Sequence, residues 1–226
     1  TLAGTSGAAG RAPAWPPDGS SIAWFSDAGG EYALTISDQR GLEEPRRIEL
    51  ADPTFYFTPA WSPDSQYVLF TDEGLNLSYV DVASGEQILV DTDSYAEPNR
   101  TIDPVWSPDS RWIAYSKRLD SLYHAIMVYS LETGETHQVT DAMSDAIAPA
   151  WDRNGKYLYF LVSTNYGLTS GWLDLSSIEA QLRREVYFAV LPADLPSPLL
   201  PESDEEVIED AADGGVDDGD EEASEA

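Results

Sequence analysis

Pro59-Ala-Trp61-Ser-Pro-Asp-Ser65, with Gln66-Tyr-Val-Leu-Phe-Thr71 behind it, decides the fold of this 226-residue chain, because the same arrangement recurs. Its other copies begin at Pro13-Ala-Trp15-Pro-Pro-Asp-Gly19, Pro104-Val-Trp106-Ser-Pro-Asp-Ser110 and Pro149-Ala-Trp151-Asp-Arg-Asn-Gly155. The Trp-to-Trp spacings are 46, 45 and 45, and the shared pattern is P-x-W-x-x-[DN]-[GS]. Four matches at one period make an internal repeat.

Each copy has turn chemistry. Proline presets φ at the second turn position, and Asp or Asn accepts local backbone hydrogen bonds. An aromatic and β-branched strand follows each turn: Ser21–Ser26, Gln66–Thr71, Arg111–Ser116 and Lys156–Leu161. A further strand is predicted at Glu31–Ile36, Leu75–Val82, Ala125–Leu131 and Val186–Leu191. Ser84-Gly85-Glu86 and Thr133-Gly134-Glu135 then read as hairpin turns into Gln87–Val90 and Thr136–Thr140. A solenoid or sandwich also has many short strands. Four strands in about 45 residues, at fixed period, instead match a β-propeller blade. The fold class expected is therefore all-β: a propeller fragment of about four blades of four antiparallel strands, with the repeated Trp wedged between blades.

Blades are expected near residues 12–50, 58–91, 103–140 and 148–191, giving a partial propeller over 1–191. The last carries an insertion at 163–185, whose Trp172 and Leu175 either pack on the blade or belong to a functional loop. Thr1-Leu2 stand where Val139-Thr140 stand before the last motif, so the expectation is the last part of a larger ring. Residues 192–201 read as a Pro-rich extended linker, and 202–226 as a disordered acidic tail or linker. Asp217-Asp-Gly-Asp-Glu221 lacks the full calcium-loop pattern and reads as a solvated charge run.

Charge narrows the partners. There are 41 acids against 12 bases, and only Lys117 and Lys156 are lysines. The acidic tail holds 13 of those acids, so the body is acidic in its own right. Such a surface repels nucleic-acid phosphates, and no nucleic-acid partner is expected. The acidity fits either a merely acidic protein or one from a high-salt habitat. No apolar run approaches the roughly 20 residues of a spanning helix, so no membrane span is expected. No signal peptide is visible, and the compartment, cytoplasmic or periplasmic, stays open.

No catalytic constellation is legible. With no Cys, disulfides and thiolate chemistry are excluded. The two histidines, His124 and His137, fall in predicted strands 13 residues apart, with no H-E-x-x-H and no G-x-S-x-G. They read as structural or surface residues, so no catalytic, cofactor-binding or metal residue and no cofactor is assigned. Asn76-Leu-Ser78 and Asn99-Arg-Thr101 match the glycosylation sequon, a pattern common by chance.

The blade motif resembles those of the TolB-like superfamily. Tyr129–Asp141, Tyr166–Ser177 and Leu195-Pro-Ser-Pro-Leu-Leu-Pro-Glu-Ser-Asp-Glu-Glu206 narrow this further. They resemble the C-terminal part of the second propeller of tricorn-type serine proteases, over nearly all of residues 1–206. Trp15-Pro-Pro-Asp and Trp151-Asp-Arg-Asn depart from that family's usual turn but remain turns. The resemblance implies a non-catalytic propeller that gates or guides peptides or unfolded polypeptides to a protease region beyond this chain. The implied partners are other domains of a parent serine peptidase and a homo-oligomer. Alternatives are a TolB-like protein-binding scaffold without enzymatic activity, and a propeller cap on a prolyl-oligopeptidase-type hydrolase.

Overall fold

A computed structural model of the chain describes residues 7–94, 102–166, 169–170, 173–174 and 182–200. Trp172, Leu175, the Asn99 sequon and the acidic tail lie outside the described residues. The chain divides into two units, 1–195 and 196–226.

In the first unit the period becomes four antiparallel sheets. Blade 1 is β1 (Gly10–Ala14), β2 (Ser21–Ser26), β3 (Ala33–Asp38) and β4 (Arg46–Glu49). Blade 2 is β5 (Tyr56–Trp61), β6 (Tyr67–Asp72), β7 (Asn76–Asp81) and β8 (Gln87–Thr92). Blade 3 is β9 (Val105–Trp106), β10 (Trp112–Arg118), β11 (His124–Ser130) and β12 (Thr136–Gln138). Among the described residues blade 4 has three strands, β13 (Asp145–Trp151), β14 (Tyr157–Ser163) and β17 (Glu185–Val190). Its insertion contains a short hairpin, β15 (Thr169–Ser170) and β16 (Leu173–Asp174). Among the described residues there is no helix.

The turns of blades 2, 3 and 4 close alike. In blade 2 Ser62 N donates to Tyr67 O (2.9 Å) and Ser65 N to Ser62 O (2.9 Å). Ser62 Oγ donates to Asp64 Oδ1 (2.6 Å) and accepts from Tyr67 N (2.9 Å). Ser107 and Asp109 repeat this in blade 3 at 2.6 and 2.9 Å. In blade 4 the carboxylate of Asp152 replaces the serine hydroxyl and accepts from Tyr157 N directly (2.8 Å). The last turn position has positive φ in all four copies: Gly19 (68°), Ser65 (61°), Ser110 (61°) and Gly155 (67°). That left-handed requirement explains glycine there, and serine tolerates it at a cost.

The middle strands of blades 2 and 3 run buried on both faces because each of these sheets packs between two others. Phe25, Tyr56 and Phe70 fill the interface of blades 1 and 2, with Phe25–Tyr56 centroids 5.3 Å apart and Tyr56–Phe70 5.4 Å. Leu69, Tyr79, Ile113 and Tyr115 fill that of blades 2 and 3. Ala114, Ile126, Leu158 and Phe160 fill that of blades 3 and 4. Full burial of each large apolar side chain contributes about 1.5–3 kcal/mol. The repeated indole joins consecutive blades: Trp61 Nε1 donates to Ala14 O (3.1 Å), Trp106 Nε1 to Ala60 O (3.0 Å) and Trp151 Nε1 to Val105 O (3.4 Å). Each acceptor is the residue before the preceding blade's Trp.

The first strand of blades 1, 2 and 4 carries a feature hidden in the pattern. Its pairing register slips between Arg11 and Ala14, Phe57 and Ala60, and Ile147 and Ala150. Proline cannot donate to the ladder, so the strand bulges at the x-Pro pair.

The segment after β17 differs from the extended linker expected. In the first unit Leu195 N donates to Pro192 O (3.2 Å), closing a turn. In the second, Leu200 N donates to Ser197 O (3.1 Å), with Pro198 at the position whose φ it presets.

Candidate functional site

The x-Pro pairs bring together one positive-φ residue from every blade. Ala12 (φ 50°), Thr58 (46°), Asp103 (38°) and Ala148 (54°) each stand three positions before the repeated Trp, in the left-handed region that side chains avoid. Such strain persists only where surroundings impose it, and it concentrates at functional surfaces. These four residues and the prolines after them line one cavity of about 590 Å³. Only a space along the axis of the array touches the first strand of all four blades.

The wall is mostly small and neutral. Prolines 13, 59, 104 and 149 offer no N–H, which denies an approaching strand part of its ladder. Asp103 is the charged exception. Desolvation in the wall raises its carboxyl above the ordinary value, while the charge of His124 pulls the other way.

Where β13 and β11 begin, a polar latch joins the blades. Asp145, the first residue of β13, is fully buried. It accepts hydrogen bonds from His124 N (3.0 Å) and His124 Nδ1 (2.7 Å), and Arg184 Nη1 lies 2.8 Å from its other oxygen. Burial pushes the Asp145 carboxyl up, but the hydrogen bonds from His124 and the adjacent Arg184 cation outweigh it and hold it below the ordinary value. The latch therefore ties blade 3, blade 4 and the return of the insertion. Asn165 Oδ1 accepts from Ser163 Oγ (3.0 Å) and Arg183 N (3.1 Å), so the insertion leaves and returns at one place. The Arg184 guanidinium sits 5.5 Å above the Tyr166 ring. A second tie joins blades 2 and 3: Lys117 Nζ to Asp91 Oδ1 (2.5 Å), with Tyr115 O–H donating to Asp91 Oδ2 (2.7 Å).

The structure places both histidines in the strands expected. His124 opens β11 and is 3% exposed, too enclosed for a substrate to reach. His137 is exposed on β12, opposite Val128. Among the described residues no three His, Asp or Glu side chains are grouped to hold a metal ion. The amide nitrogen of Asn76, in the first sequon, donates to Asp72 Oδ2 (3.0 Å), and Ser78 is buried. Sequence reasoning missed the Asp145 latch, since its partners stand 21 and 39 positions away on other elements.

Comparison with known proteins follows this geometry. The family model described as the tricorn protease second beta propeller domain matches residues 1–225. The crystal structure of the tricorn protease superposes with a TM-score of 0.66 at 19% identity, covering 84% of this chain and 18% of that one. A prolyl endopeptidase structure gives a TM-score of 0.52 at 18% identity, covering 81% of this chain and 28% of that one. The uncharacterized peptidase YuxL of Bacillus subtilis (strain 168) is 28% identical over 153 residues, 66% of this chain and 21% of that protein. The chain spans about a fifth of the length of YuxL and of the tricorn protease.

Proposed function

Because the chain belongs to the family of tricorn protease second β-propeller domains, we propose that it is a non-catalytic propeller portion of a tricorn-like serine peptidase and guides peptides along its axis towards a protease region outside this chain. The observation that carries the reading is the wall formed by the four x-Pro pairs, where one cavity touches every blade. Its small neutral side chains suit passage of varied sequences rather than capture of one. The Asp145 latch supports it by holding blades 3 and 4 and the insertion in fixed relation beside that wall. No residue of this chain is assigned to bond cleavage, and the proposed partners are the remaining domains of the peptidase.

A photo-crosslinking residue placed at Thr58 tests the reading, with the same residue at exposed Leu42 as control. Unstructured peptides are expected to crosslink at Thr58 and not at Leu42, and mass spectrometry is expected to find the peptides uncut. Equal labelling at both positions, or cleavage by the purified chain, overturns it.

A further inference from the structure

The repeat shows what one of its own grooves lacks. Between blades 2 and 3, beside the Trp-bearing turns, Tyr79 fills the space against Trp106. Their ring centroids are 6.2 Å apart, and Tyr67 stacks on the same indole at 6.0 Å. The pairing register identifies the corresponding residues one blade later. Leu69 faces Tyr79, and Ala114, also eight residues after its Trp, faces Val128. Valine therefore stands where the preceding blade has a phenol ring. The turn changes at the same place. Ser110 Oγ accepts from Asp64 N (3.0 Å) and bridges blades 2 and 3, but Gly155 holds that position in blade 4.

These two departures coincide with a cavity of about 530 Å³ between blades 3 and 4, walled by Trp112, Val128, Val139, Trp151 and Leu191. At its rim stands Arg153, exposed and paired with no carboxylate among the described residues. Asp109 also reaches the rim, but its carboxylate is engaged by Ser107 Oγ (2.6 Å) and Arg111 N (3.1 Å). Those donors satisfy Asp109 without an ion pair, so Arg153 is the rim cation open to an acidic group of an occupant.

We infer that this groove binds a peptide segment through an aromatic side chain, which takes the place Tyr79 fills one blade earlier, with an adjacent acidic residue paired to Arg153. The occupant's chemistry comes from the repeat itself: a ring between the residue six after one Trp and the indole of the next. Flat apolar walls with one placed charge are the usual make-up of a small-ligand site. The inference goes beyond the axial channel and does not depend on it, since the groove lies between blades.

The full chain, labelled at Val and Leu methyls, is titrated with acetyl-Phe-Asp-amide, acetyl-Phe-Asn-amide and acetyl-Ala-Asp-amide. The Phe-Asp peptide is expected to shift Val128, Val139 and Leu191. The Phe-Asn peptide is expected to bind about fivefold to tenfold more weakly, as loss of one charge-assisted pair implies. The Ala-Asp peptide should leave these methyls unmoved. Val128→Tyr restores the blade-2 residue and should abolish the shifts. Gly155→Ser is a second variant expected to fold with some backbone strain, because a Cβ there meets nothing within 4 Å and Ser110 adopts a similar φ of 61°. It should weaken binding about tenfold by closing the turn bridge. In Arg153→Gln the Phe-Asp and Phe-Asn peptides should bind alike. No shift with the Phe-Asp peptide at millimolar concentration overturns the inference. So do shifts that survive both groove-filling variants, or equal binding of the Ala-Asp peptide.

Discussion

Among the four repeated tryptophans, a single indole N–H separates the three that join blades from the one that does not. Trp61, Trp106 and Trp151 each donate to a carbonyl of the preceding blade, while Trp15 is 51% exposed. Trp106→Phe keeps an aromatic ring but strands the Ala60 carbonyl and removes part of the packing on Tyr67 and Tyr79, so urea unfolding should show a loss of at least about 1–2 kcal/mol. Trp15→Phe should cost less than about 0.5 kcal/mol. Equal losses would contradict the role given to the indole. Asp145 is the other decisive residue. Asp145→Ala leaves Arg184 and His124 without their shared acceptor and should cost about 3–5 kcal/mol. The Asp145 carboxyl is held low in the folded protein, so its contribution is complete above the unfolded value near pH 4. It is lost as pH falls through the folded value below that. The wild type should therefore lose more stability than Asp145→Asn on acidification below about pH 4, measured by urea midpoint. The two positive-φ positions differ in legibility. The one after the turn shows as Gly or Ser, but the one before Pro is Ala, Thr, Asp and Ala, residues that announce no left-handed backbone. Asp145 is hidden for another reason: it is one acid among 41.

Strand by strand, the alternation and turn residues located every blade, and the differences lie at the ends. The second hairpin of blade 1 was expected to return at Glu31–Ile36, but β3 is Ala33–Asp38, because Ser21 pairs with Asp38 and Ser26 with Ala33. Arg47 closes that end, donating to Ser26 O (3.2 Å) and Glu31 O (2.7 Å), a contact between strands that local pattern does not reveal. In blade 4 the insertion takes the place between β14 and β17, and the sheet has three strands among the described residues. Turns also bridge blades unequally. Ser110→Ala removes the bond to Asp64 N and should lower stability by about 0.5–1.5 kcal/mol. Ser65→Ala, at the same φ of 61°, changes backbone strain equally and removes no such bridge, so its thermal midpoint should fall less. Identical shifts for the two would show that the bridge carries no weight.

Over the whole molecule the formal charge is −29, and self-repulsion opposes the compact state. Added salt shortens the reach of that repulsion to about 3 Å at 1 M. The melting temperature should therefore rise between low and molar sodium chloride, and a flat or falling trend would place the charges elsewhere than in mutual opposition. The acidity and the 45-residue period were both legible in sequence. The axial wall was not, because it exists only once four blades are set side by side. The most direct test of that wall uses its own methyl groups. Ala12, Thr58 and Ala148 each carry one, on three different blades, and all face one cavity. Titration of the alanine- and threonine-methyl-labelled chain with an unstructured peptide should move these three signals together, with one affinity. Shifts confined to methyls away from the cavity, with Ala12, Thr58 and Ala148 unmoved, would contradict passage of peptides along the axis.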